Sequence, residues 1–159
     1  MQDNKLFKIK NKFLSGLVIW LQMQLLSGKD SRERTRFVSL CQDRLKEYNG
    51  FYQGLMDKYI QKGKDGKYET VKVGDLETYK FITKKDEEEH LKEVNDLFEE
   101  EFKIEITQLS GEMLRIIKNI VLNTEYRFGP KEGTSIDEKN TAIRLANEYS
   151  EWCQSFESI

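Results

Sequence analysis

The chain has 159 residues, 38% of them apolar and 34% charged, enough for one domain with a thin core. Its 26 basic and 28 acidic residues nearly cancel, so net charge directs it to no polyanion and only local clusters could do so. The 2 Trp, 7 Tyr and 9 Phe, with clear helical periodicity, argue against disorder, and the single proline suits helices joined by few sharp loops.

Lys5-Leu6-Phe7-Lys8-Ile9-Lys10 alternates in the manner of a short strand. Asn11 is then placed to cap a helix over 12–27, with Gly28 as its stop. This segment is apolar nearly all round and follows four lysines, so it imitates a signal peptide. Gln22 and Gln24 interrupt it, no small-x-small cleavage site follows, and the apolar run is short for a membrane span. We read it as a buried core helix.

The stretch from Asp30 to Ile60 reads as one long amphipathic helix around which the rest packs. Its stripe is Phe37, Leu40, Cys41, Leu45, Tyr48, Tyr52, Leu55, Met56 and Tyr59, at spacings of three and four. Asp30 and Glu33 resemble a capping-box start. Such a helix would be about 45 Å long. Gly50 and Gly54 lie inside it; we read them as a mild bend on the solvent side rather than a close-approach surface for another helix.

Between 62 and 83, Asp65-Gly66 and Gly74-Asp75 are turn signals flanking β-rich runs at 68–73 and 77–82. A small hairpin appendage is expected there. Thr83 with Asp86 then opens a helix whose stripe is Leu91, Val94, Leu97, Phe98 and Phe102. Phe102-Lys103-Ile104-Glu105-Ile106 echoes Phe7-Lys8-Ile9-Lys10, and the two strands are expected to pair. Ser110 is placed to cap the next helix, with Leu109 and Leu114 as a hydrophobic staple and Met113, Ile117, Ile120 and Val121 inside. After the loop RFGPKEGTS, Ser135 and Glu138 open the last helix, with Ala142, Leu145, Ala146, Tyr149, Trp152, Cys153 and Phe156 inside. The fold class is therefore mainly α, about five helices in a single domain over 1–159, with a small β element.

Catalytic patterns fail one by one. His90 is the only histidine, and Glu87-x-x-His90 occurs once where a di-metal bundle needs it twice. Its acidic neighbours suit a solvated helix start better than an activated nucleophile. A structural zinc site needs four Cys or His ligands and the chain has three such residues. Gly129 to Ser135 has the wrong spacing for a phosphate loop, and Glu101-Phe102-Lys103 is a triplet that chance supplies in a chain so charged. Cys41 and Cys153 fall on apolar faces and read as reduced, buried thiols of a cytosolic protein, with a disulfide between them left open. No cofactor or metal is implied, and no enzyme.

Two charge clusters remain. Lys29, Arg32, Arg34 and Arg36 crowd the start of the long helix, where cations oppose the macrodipole. Arginine's planar donor fork suits carboxylates or phosphates, so we take these four as the candidate binding site. Asp86, Glu87, Glu88 and Glu89 form a secondary acidic surface, which a helix start also explains.

The run Gly28-Lys29-x-Ser31-Arg32-x-Arg34-Thr35-Arg36-Phe37, with Lys8-Ile9-Lys10-Asn11-Lys12 and Trp152-Cys153-x-x-Phe156, resembles small helical accessory proteins encoded by phages of Gram-positive bacteria. The resemblance implies the cytoplasm of an infected bacterium and carries over no site. The function expected is a non-enzymatic inhibitor that covers a surface of a host nucleic-acid-handling or defence protein. An assembly chaperone and a nucleic-acid-binding protein using the basic helix start are the alternatives. The partner expected is another protein, with nucleic acid second and no membrane.

Overall fold

The computed structural model describes residues 5–123 and 135–159. In chain order its elements are β1 (Leu6–Lys10), α1 (Asn11–Met23), α2 (Gly28–Tyr59), β2 (Thr70–Val73), β3 (Leu76–Tyr79), α3 (Lys84–Glu99), β4 (Glu101–Glu105), α4 (Gln108–Val121) and α5 (Ile136–Glu157). The fold is mainly helical with a small β component, as the periodicity predicts. Its contacts cluster in two compact units, one of residues 1–45 and 101–159 and one of residues 46–100, where the sequence reads as one domain.

In the first unit β1 and β4 pair antiparallel, Phe7 opposite Ile104 and Ile9 opposite Phe102. The echo of the two strands thus becomes a ribbon whose apolar side chains share one face, because alternate residues of a strand point the same way. That face packs on α5 and α1. Phe7 meets Phe156 at 4.7 Å and Phe37 edge-on at 5.9 Å between ring centroids. Trp20 and Trp152 lie 5.9 Å apart deeper in the core. Three polar contacts fix the helices around it. The Trp152 indole donates to the Phe13 carbonyl at 3.1 Å, the Tyr149 hydroxyl to the Val121 carbonyl at 2.5 Å, and Arg44 Nε to the buried Asn11 side chain at 3.1 Å.

In the second unit the later turns of α2 and the inner face of α3 bury Met56, Tyr59, Ile60, Val94 and Leu97. Phe98 sits between Tyr48 and Tyr52, at 6.0 and 6.4 Å. The hairpin β2–β3 turns through Gly74, whose φ of +64° only glycine adopts without strain. Every residue of its two strands is exposed. Its base is closed by Gln61, Glu69, Lys80 and Ile82, whose amides donate in turn to the carbonyls of Lys80, Gln61, Glu69 and Tyr59.

Several local expectations are corrected. Helix α1 stops at Met23 rather than Ser27, and Asn11 is its first residue, not its cap. Helix α2 starts at Gly28, so Asp30 already lies in its first turn, and Glu33 is buried against Arg36 instead of reaching back to a cap. Thr107, not Ser110, caps α4; Ser110 is the capping-box partner, and Leu109 is 89% exposed and forms no staple. Leu40, Leu91 and Ala146 lie on the expected stripes yet are exposed. The caps at Thr83 and Ser135 form as expected. A Cβ at Gly50 or Gly54 would meet nothing within 4 Å, so no helix approaches there. Cys41 and Cys153 are free thiols, and burial pushes both upward in pKa.

Candidate functional site

The four cations at the start of α2 do not form one cluster. Helical spacing puts Lys29, Arg36 and Leu40 on a single stripe with Arg32 beside it, while Arg34 points to the other side of the helix. There Arg34 donates through Nη1 to the carbonyls of Leu21 and Gln24, at 3.2 and 2.5 Å. The Gln24 amide already donates to the Leu21 carbonyl at 3.3 Å; Arg34 adds a second donor there and one to the Gln24 carbonyl beyond the last turn, so it is a tertiary C-cap for α1. Lys29 pairs with Glu112 of α4 and holds its carboxyl below the usual range; Arg115 adds a longer contact to Glu112 at 3.9 Å. Arg36 pairs with Glu33 at 3.2 Å. Arg32 is exposed and makes no hydrogen bond or ion pair among the described residues.

The Lys29–Arg36–Leu40 stripe borders α4. Leu40, Leu109 and Met113 floor a groove of about 680 Å³ there, with Arg36 on its rim and Thr35, Ser39 and Ser110 supplying hydroxyls. Leu40 is 42% and Leu109 89% exposed. A second hollow of about 260 Å³ between the same two helices holds Lys29, Asp30, Arg115 and Asn119. Apolar floor and cationic rim thus occur together, an arrangement that receives an apolar side chain flanked by acids. The ion pairs that Glu112 makes with Lys29 and Arg115, beside the second hollow, are half exposed, and solvent screens such pairs strongly. An incoming carboxylate can therefore displace Glu112 from Lys29 at little cost.

Leu109 and Arg115 join the groove and the hollow without belonging to the basic helix start. The signal available was Leu109 at four residues from Met113, which reads equally well as core.

The acidic residues are explained locally. Asp86 accepts from the Thr83 hydroxyl at 2.8 Å, Glu89 lies 3.6 Å from Lys85, and Asp86 and Glu87 stand in the first turn of α3, where the macrodipole favours them. Glu88 is simply exposed. His90 is half-buried rather than fully solvated as its neighbours in sequence imply. Its Nε2 is buried without a hydrogen-bond partner, and its ring packs on Tyr59 and Phe81. Among the described residues no three His, Cys, Asp or Glu side chains converge as metal ligands. Glu101 and Lys103 stand 4.0 Å apart on exposed positions of β4. The glycine-flanked stretch 129–134 lies outside the described residues. Among the described residues no helix is long and apolar enough to cross a membrane.

Compared with protein-family models, curated proteins and solved structures, the chain matches none.

Proposed function

We propose that the chain is a non-enzymatic interaction protein whose protein partner docks on the α2–α4 groove. The partner places an apolar side chain over Leu40, Leu109 and Met113 and carboxylates against Arg32, Arg36 and Lys29. The groove itself supports this reading, since its leucines stay exposed while its rim carries arginine. The setting we propose is the cytoplasm of a phage-infected bacterium. There the protein would cover a surface of a host nucleic-acid-handling or defence protein, or chaperone another phage protein. The resemblance at Gly28 to Phe37 is what supports that setting.

Co-purification from expressing cells identifies the partner. Arg32→Glu with Arg36→Glu is then expected to weaken binding at least roughly 30-fold, since a central interface arginine typically contributes about 2 kcal/mol or more. Leu109→Asp is expected to act alike. Arg34 is left intact because its loss would unseat the end of α1. Unchanged affinity in a folded double variant removes the groove from the reading. Steady turnover of a substrate that depends on one carboxylate removes the whole class. Binding to DNA or RNA at about 50 mM salt that weakens steeply as salt rises moves the assignment to nucleic acid.

A further inference from the structure

We propose that His90 is a proton-sensitive wedge in the second unit: its neutral imidazole holds the hairpin base shut, and uptake of one proton by the ring opens it. His90 lies on α3 with its ring 5.9 Å from that of Tyr59, nearly perpendicular, and 5.2 Å from that of Phe81. Tyr59 is the last residue of α2. Phe81 follows β3 and bridges to Ile60, and the next amide, Ile82, donates to the Tyr59 carbonyl at 3.1 Å. The imidazole therefore touches both chains that meet at the base of the hairpin.

Its Nε2 is buried with no acceptor or donor against it. A neutral ring tolerates this at the cost of one unmade hydrogen bond. An imidazolium has a donor at both nitrogens and a charge to solvate. The ionisable groups nearby offer it little. From α2, the Tyr59 hydroxyl donates to Glu93 Oε1 at 2.6 Å, and the Lys58 ammonium lies 3.3 Å from the same oxygen. From α3 itself, Glu93 attracts the ring through its charge, though Tyr59 and Lys58 both engage its Oε1. The side contributed by Phe81 is aromatic. Burial accordingly holds the His90 pKa below its ordinary value, with Glu93 opposing.

His90 as a whole is half-buried, and it is the Nε2 edge that is enclosed; that edge gains water most readily if Phe81 swings away, because Phe81 belongs to a short half-buried segment rather than to a helix. That movement breaks the Ile60–Phe81 bridge and frees the hairpin from the end of α2. The sign follows from the depressed pKa. The closed base is fully stabilised above about pH 6.5, the unperturbed histidine value. The stabilisation is lost as pH falls from there through the folded value.

The test is amide hydrogen exchange between pH 7.5 and 5.0, corrected for intrinsic rates. Protection of Gln61, Lys80 and Ile82 is expected to fall several-fold across that range, while Ile117 and Leu145 of the first unit hold theirs. His90→Phe keeps an aromatic ring in place and is expected to flatten the response; His90→Gln is a second neutral variant should the ring fit badly. A direct titration of the imidazole carbons in the unmodified protein needs no variant. A pKa at or above about 6.5 in that titration, protection indifferent to pH, or the same fall in both variants would each overturn the proposal.

Discussion

The first unit buries aromatic side chains from four elements against one another; the second holds its interior between two helices and the foot of a hairpin. Among the described residues, the core cluster of the first unit has twenty buried members, Trp20, Trp152, Phe7, Phe37 and Phe156 the largest. In the second only Met56, Tyr59, Ile60, Val94 and Leu97 are buried apolar residues. Hydrophobic stabilisation scales with the apolar area removed from water. The first unit is therefore expected to set global stability and the second to open first, by local rather than global unfolding.

The sharpest way to break that contrast is Trp152→Ala. It removes a fully buried side chain and its bond to the Phe13 carbonyl, and a loss of about 3–5 kcal/mol is expected from denaturant midpoints. A loss under about 1 kcal/mol would mean that the aromatic core is not what holds the first unit. Leu97→Ala comes next, at about 2 kcal/mol, with faster exchange confined to residues 46–100. Equal acceleration at Ile117 or Leu145 would show the units to be one cooperative body.

Gly16→Ala probes a single close approach. A Cβ there would lie 1.9 Å from Glu148 Oε2 and 3.2 Å from the Trp152 ring. A cost of about 1–3 kcal/mol is expected for such overpacking, and Glu148→Ala should recover part of it in a double-mutant cycle. Strict additivity would show that Glu148 is not the obstacle.

The smallest effect is that of Glu148→Gln. Burial raises the Glu148 carboxyl above its ordinary value, and Arg144, 3.4 Å away, pulls it partly back. A raised folded pKa means that the contribution is complete below the unfolded value, about 4.5, and is lost as pH rises through the folded one. The difference in midpoint between the natural chain and Glu148→Gln should therefore grow from pH 4.5 to 7 in favour of the variant. A difference constant with pH would refute the assignment.

The sequence disclosed the first unit better than the second. Alternation at Phe7, Ile9, Phe102 and Ile104 specifies both strands and their shared face, because a period of two leaves one choice of side. Helical stripes located all five helices, but their width was not legible: Leu40 and Leu91 sit at the stripe edges, and only the neighbouring element decides whether an edge is covered. The candidate site was half legible. The crowding of Lys29, Arg32, Arg34 and Arg36 marks the start of α2 in the sequence, but Arg34 serves carbonyls of another helix, a tertiary fact with no local trace. His90 could have been found. It shares a face with Val94 and Leu97, four and seven residues on, and that spacing outweighs the glutamates beside it in sequence.

The ribbon of β1 and β4 joins residues far apart along the chain, Leu6 opposite Glu105. On a ribosome the first strand, α1 and the start of α2 emerge early and must wait for their partners, while the whole of residues 46–100 is synthesised between them. The second unit, made of consecutive residues, can form meanwhile and shorten the loop that the ribbon has to close. Closing a loop costs entropy that grows with the logarithm of its length, and non-local pairing is the slow step of folding. The thinner unit, which contributes least to the finished molecule, is thus placed to set the pace at which the thicker one is completed.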